Sequence, residues 1–191
     1  KARMYPFGAA SPARRSGQTA MFTVVDGLAR LLAPILSVTM DELWRGLPGP
    51  REASVHMALF PRDLEGLKDD DLVDRWARLG AVRDVVNVAL EQKRQDKTIT
   101  GNLSAAVELQ AAGATLELLQ RYDASLPMLF GVSAVRVTAG GSEDTPVVVV
   151  TRADGTKCER CWRVVPEVSA AAGREGLCPR CVEALAEAVS L

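Results

Sequence analysis

The sequence has one histidine, His56, and no cysteine before position 158. A histidine without a second histidine or a paired carboxylate reads as a surface or packing residue rather than a ligand or base. No catalytic residue is assigned to this chain. No stretch approaches the roughly 18 consecutive apolar residues that a membrane-spanning helix needs, and the N-terminus has no signal-peptide layout. A cytoplasmic protein without membrane contact is therefore expected. Excess charge is missing too, with 23 basic against 24 acidic residues. That excludes a global field drawing the chain onto nucleic acid or an acidic surface, so any polyanion contact must be local. Acidic residues are absent before Asp26, whereas Lys1, Arg3, Arg14 and Arg15 precede it. This is the one clear charge asymmetry. An initiating methionine is also absent, and Lys1-Ala2-Arg3-Met4-Tyr5-Pro6 reads as sequence from inside a longer chain.

What is present is concentrated near the end. Cys158-Glu159-Arg160-Cys161-Trp162-Arg163 is answered by Cys178-Pro179-Arg180-Cys181, two residues inside each pair and sixteen between them. This is zinc-ribbon spacing. Each Cys-x-x-Cys turn brings two thiolates to one ion, and two turns complete a tetrahedral shell with Zn–S bonds of about 2.3 Å. Four protein ligands leave no position for water or substrate, so one structural Zn²⁺ is expected on Cys158, Cys161, Cys178 and Cys181. Four thiolates also suit iron. Two disulfides would use the same residues, but nothing else in the sequence is secretory. The polar residues from Arg152 onward are balanced, six basic against six acidic, yet Arg160, Arg163 and Arg180 sit at the knuckles. Trp162 directly follows a ligand. Packing against the small core is expected of it, with stacking on a nucleobase as the alternative.

The remaining 48% hydrophobic chain is rich enough for a core. Ser11-Pro12 reads as a helix start. Met21, Val24, Val25, Leu28, Leu31, Leu32, Ile35 and Leu36 then recur at helical spacing, predicting an amphipathic helix packed on others, kinked or split at Pro34. A restart near Thr39 runs to Trp44 and ends at Gly46 and Pro48-Gly49-Pro50. Asp69-Asp70-Asp71 opens a helix to about residue 96, with Leu72, Trp76, Leu79, Val82, Val86 and Leu90 as its stripe. Arg75, Arg83, Arg94 and Lys97 do not sort into a dedicated basic face. Alternation at Ala105, Val107 and Leu109 predicts a half-buried strand, and a helix over about 114–123 follows. Val135 and Val137 alternate again, and Val147–Val150 reads as a fully buried strand closed by Ala153-Asp154-Gly155. Val182, Leu185, Ala186 and Val189 predict a short terminal helix. The fold class is mixed: an N-terminal α-helical bundle over residues 1–100, a small α/β module over 101–152 and a four-cysteine zinc ribbon over 153–191.

These residues resemble the C-terminal part of the bacterial isoleucyl-tRNA synthetases. Ser11-Pro12-Ala13-Arg14-Arg15-Ser16-Gly17-Gln18, Leu31-Leu32-Ala33-Pro34-Ile35-Leu36 and Glu42-x-Trp44 look like that family's helical anticodon-binding domain. Ser54-Val55-His56 and Phe60-Pro61 match the turn after it, and the two knuckles resemble its terminal zinc finger. One departure is Lys97-Thr98-Ile99-Thr100-Gly101-Asn102-Leu103-Ser104-Ala105, where the family reads Lys-x-Ile-Gly-x-Ser-Leu-Glu-Ala. The resemblance implies a class I synthetase whose ATP-dependent catalytic domain lies upstream. It implies as partners isoleucine tRNA and those upstream domains, with no DNA, in a monomer. Arg14, Arg15, Arg160, Trp162, Arg163 and Arg180 are then the candidate RNA contacts, through phosphate pairing and base stacking. Two rivals use the same ribbon. One is a purely structural or protein-docking module. The other is the C-terminal finger of a formamidopyrimidine-type DNA glycosylase, for which no matching catalytic proline–glutamate or helical domain is found here.

Overall fold

The computed structural model describes residues 3–62, 64–142 and 145–188, so Lys1 and Val189 lie outside the described residues. The chain divides into two compact units, the first running from Arg3 to Asp69 and the second from Asp70 onward. The division falls between Asp69 and Asp70 because the long third helix shares a core with the sheet.

The first unit is helical. Helix α1 (Pro12–Leu32) starts with proline at its first position, where the missing N–H costs nothing. It ends just before Pro34, and α2 (Ser37–Gly46) restarts beyond it. The small core comprises Ala29, Ala33, Met40, Trp44 and Val55. Trp44 is 1% exposed, and its indole N–H donates to the Glu52 carbonyl at 2.8 Å. Arg30 and Arg51 lie over the Trp44 ring at 5.1 and 4.6 Å, and both pair with Asp26. The loop after α2 is further held by Asp41, which accepts from the Ser54 hydroxyl at 2.6 Å and the Val55 N–H at 3.2 Å. The apolar stripe expected to be the packed face of α1 is largely open: Met21, Val24, Leu28, Leu31, Ile35 and Leu36 are exposed. Ala29 and Ala33 pack instead, because their small side chains allow the closer approach to α2 and Trp44.

The second unit begins with α3 (Asp70–Gln95), whose first turn carries Asp70 and Asp71. Leu79, Val82, Val86 and Leu90 are buried against a three-stranded sheet ordered β2-β1-β3. Strand β1 (Ala105–Ala111) pairs in parallel with β2 (Ala134–Ala139), joined by α4 (Gly113–Arg121) and α5 (Leu126–Phe130). Strand β3 (Val147–Arg152) returns antiparallel on the other side of β1. β3 was expected to be buried on both faces. Only one face of the sheet is covered at this strand, so Val148 and Val150 face the core while Val147 and Val149 are exposed. The atypical turn after α3 places Lys97 in the left-handed region, at φ +61°. Ser104 closes it, its hydroxyl accepting from the Thr100 and Gly101 N–H groups and donating to the Gly101 carbonyl.

The ribbon follows directly. Strands β4 (Thr156–Lys157) and β5 (Val164–Val165) form a hairpin, and α6 (Pro179–Ala188) completes the described chain. Gly155, at φ +118°, enters this hairpin so tightly that a β-carbon would lie 2.1 Å from the Val165 carbonyl oxygen. Only glycine fits there.

Candidate metal centre and nucleic-acid interface

The first knuckle is the loop of the β4–β5 hairpin. The Cys158 N–H donates to the Arg163 carbonyl at 2.8 Å, and the Trp162 N–H donates to the Cys158 carbonyl at 2.9 Å. That tight return forces Trp162 to φ +66°, a left-handed conformation that a bulky residue rarely adopts. The second knuckle is built on the start of α6. The Cys178 carbonyl accepts from the Cys181 and Val182 N–H groups, and Pro179 fixes the first helical residue. The Cys178 N–H in turn donates to the Cys158 sulfur at 3.2 Å, tying one knuckle to the other.

All four sulfurs lie within 4.8 Å of one another, the one group of three or more potential ligands among the described residues. Cys161 and Cys178 Sγ are 3.7 Å apart. A tetrahedron with bonds of about 2.3 Å has edges of about 3.8 Å, so the spacing already fits a zinc-sized ion. No S–S bond links them. Burial opposes ionisation of Cys158, but N–H donors from Cys161, Cys178 and Arg160 outweigh it and bring its pKa down to about 6. Burial pushes Cys178 up, and Cys181 up to about 12 although the Arg160 side chain favours its thiolate. A divalent cation bound to the four sulfurs would favour their thiolate forms.

Around the sulfurs the candidate contacts separate by environment. Trp162 was expected to pack; instead it is 61% exposed and lies outside the group of residues packed on the small cysteine core. Lys157 Nζ sits 5.2 Å from its centroid. Sequence reasoning missed Lys157, whose only signal is its place at the end of β4, directly before Cys158. Arg160 is exposed and reaches the Cys181 sulfur at 3.6 Å. Arg163 is partly buried, with its guanidinium donating to the Ser133 carbonyl. Burial, then the nearby Arg180 charge, lowers its pKa below the ordinary guanidinium value. Arg180 stands on the first turn of α6. In the first unit, Arg14 is partly buried and donates to the Phe7 carbonyl at 3.3 Å, whereas Arg15 is exposed. Ser133 also escaped the sequence reading, although a serine within the apolar run Phe130–Val135 was its available signal.

No helix among the described residues is long and apolar enough to cross a membrane. A family model described as the anticodon-binding domain of tRNA ligase matches residues 1–109, and one described as the zinc finger found in FPG and IleRS matches residues 155–184. Among similar proteins, the isoleucine–tRNA ligase of Geobacter sulfurreducens is 43% identical over 183 residues, covering 92% of this chain and 20% of the relative. That of Syntrophotalea carbinolica is 43% identical over 195 residues, covering 98% and 21%. That of Dichelobacter nodosus is 40% identical over 184 residues, covering 96% and 20%. The chain spans about a fifth of the length of these curated relatives.

Proposed function

Since the chain belongs to the family of anticodon-binding domains of tRNA ligases, we propose that it holds the anticodon arm of isoleucine tRNA for a cytoplasmic isoleucine–tRNA ligase. The attachment of isoleucine with ATP belongs to other parts of that ligase, and these residues supply no catalytic group. Cys158, Cys161, Cys178 and Cys181 hold one structural Zn²⁺, which supplies a rigid knuckle rather than reactivity. The partners are tRNA and the remaining domains of one polypeptide, acting as a monomer without DNA.

The observation that carries this reading is Trp162. A large indole held open to solvent in a costly backbone conformation, with Lys157 over its ring, is the stacking platform that splayed anticodon-loop bases require. Arg160 and Arg180 then contact phosphates or base edges around it, and Arg14 and Arg15 contact phosphates from the helical unit. Arg163 belongs to the same face, although its bond to Ser133 also gives it a structural duty. The zinc-finger family is shared with a DNA-repair enzyme name, but the match over residues 1–109 and the ligase relatives favour RNA.

Salt dependence tests the phosphate roles. Each phosphate-pairing arginine removed should reduce the slope of log affinity against log salt by about 0.7–0.9. Arg14→Ala, Arg15→Ala, Arg160→Ala and Arg180→Ala are measured against an anticodon stem-loop of isoleucine tRNA with the zinc-loaded chain. An arginine whose loss leaves the slope unchanged is removed from the interface.

A further inference from the structure

Ser133 is 2% exposed, immediately before β2 and next to buried Val132. Every hydrogen-bonding group it has is engaged. Its N–H donates to the Ala105 carbonyl at 3.0 Å, and its hydroxyl donates to the Leu103 carbonyl. Its other two bonds go to the ribbon: the hydroxyl oxygen accepts the Val164 N–H at 2.7 Å, and the carbonyl accepts the Arg163 guanidinium. A purely apolar contact would fasten two packed layers without burying a hydroxyl. A hydroxyl with one donor and one acceptor bond in fixed directions also sets an angle between them.

The anchored residues are the end of the first knuckle. The Arg163 carbonyl closes it by accepting from Cys158, so Trp162 stands between the ligand Cys161 and a residue fastened to the sheet. The geometry points to Ser133 as the positioning residue of the RNA face: through Arg163 and Val164 it sets the direction in which the knuckle presents Trp162. Ser133 touches no RNA itself. This rests on the reading of Trp162 as an RNA contact.

A double-mutant cycle on the whole zinc-loaded chain tests it, with Ser133→Ala, Trp162→Ala and the pair, against the same stem-loop. Ser133→Ala should keep wild-type zinc content, speed amide exchange at Val164 and weaken RNA binding about tenfold, an effect that vanishes in the Trp162→Ala background. Ser133→Thr, which keeps the hydroxyl, should bind as wild type. Linkage gives a second measurement on the unaltered protein: RNA that prefers the anchored knuckle must slow Val164 exchange. That measurement decides the matter if the alanine protein does not fold. The proposal alone is overturned if Trp162→Ala weakens binding while Ser133→Ala does not, if Ser133→Ala costs as much with Trp162 absent, or if RNA leaves Val164 exchange unchanged. If Trp162→Ala itself binds as wild type, the functional reading falls and the proposal with it.

Discussion

Replacing Trp162 by glycine should make the ribbon sturdier than replacing it by alanine, and both should bind RNA equally poorly. The residue sits at φ +66°. A β-carbon in the left-handed region costs about 1–2 kcal/mol. Glycine is free of that strain but loses about 0.4–1 kcal/mol through the greater freedom of its unfolded chain. The glycine variant is thus favoured over alanine by roughly 1 kcal/mol, which moves a melting midpoint by about 2–4 °C in a protein of this size. Both variants lose the Lys157 contact to the ring, so that contribution cancels between them. Trp162 is 61% exposed and is not among the residues packed on the cysteine core, so its removal should leave the metal in place. Stacking of one base is worth about 1–3 kcal/mol, and both variants should therefore lose about 5- to 150-fold in RNA affinity. Thermal melting and chelator competition read the first effect, and fluorescence anisotropy of a labelled stem-loop reads the second. Equal stability of the alanine and glycine proteins would refute the strain argument. Wild-type RNA affinity in both would refute the stacking role.

Gly155→Ala should break the β4–β5 pairing, because the new β-carbon meets the Val165 backbone, and strain of this kind costs about 1–3 kcal/mol or more; zinc should be lost to a chelator faster than from wild type, and unchanged retention contradicts it. Leu109→Ala empties a fully buried site of the sheet core and should destabilise the second unit by about 2–5 kcal/mol in denaturant titration. The Ser54 hydroxyl, followed by the Val55 N–H and Arg45, holds Asp41 below its usual 3.8. Its bonds therefore stabilise the first unit above pH 3.8, and that contribution fades as pH falls through the depressed value. Asp41→Asn should flatten this acid limb in a pH series of urea titrations; an unaltered limb assigns the transition to other carboxylates.

The two cysteine knuckles were legible from residue type and spacing, and the same four cysteines converge in space. The helices were legible from periodicity and punctuation, with Pro12 opening α1 and Pro34 separating it from α2. Periodicity reports which face of a helix is apolar. It does not report which face a neighbour covers, and so Ala29 and Ala33 pack where Leu28 and Leu31 were expected. The valines of β3 failed in a related way, since an uninterrupted apolar run does not reveal whether both faces of its strand are covered. Trp162 was misjudged because hydrophobicity alone does not show that the small cysteine core closes without its ring. Ser133 could not be paired from sequence at all, as its partners stand about thirty residues away on either side.

The most direct measurement is binding of the zinc-loaded chain to isoleucine tRNA and to the same tRNA with its anticodon exchanged, at two salt concentrations. Tighter binding to the isoleucine anticodon is expected, lost on the exchange and weakened in both cases by salt. Equal, weak binding to the two RNAs would contradict it and leave these residues a generic grip on RNA.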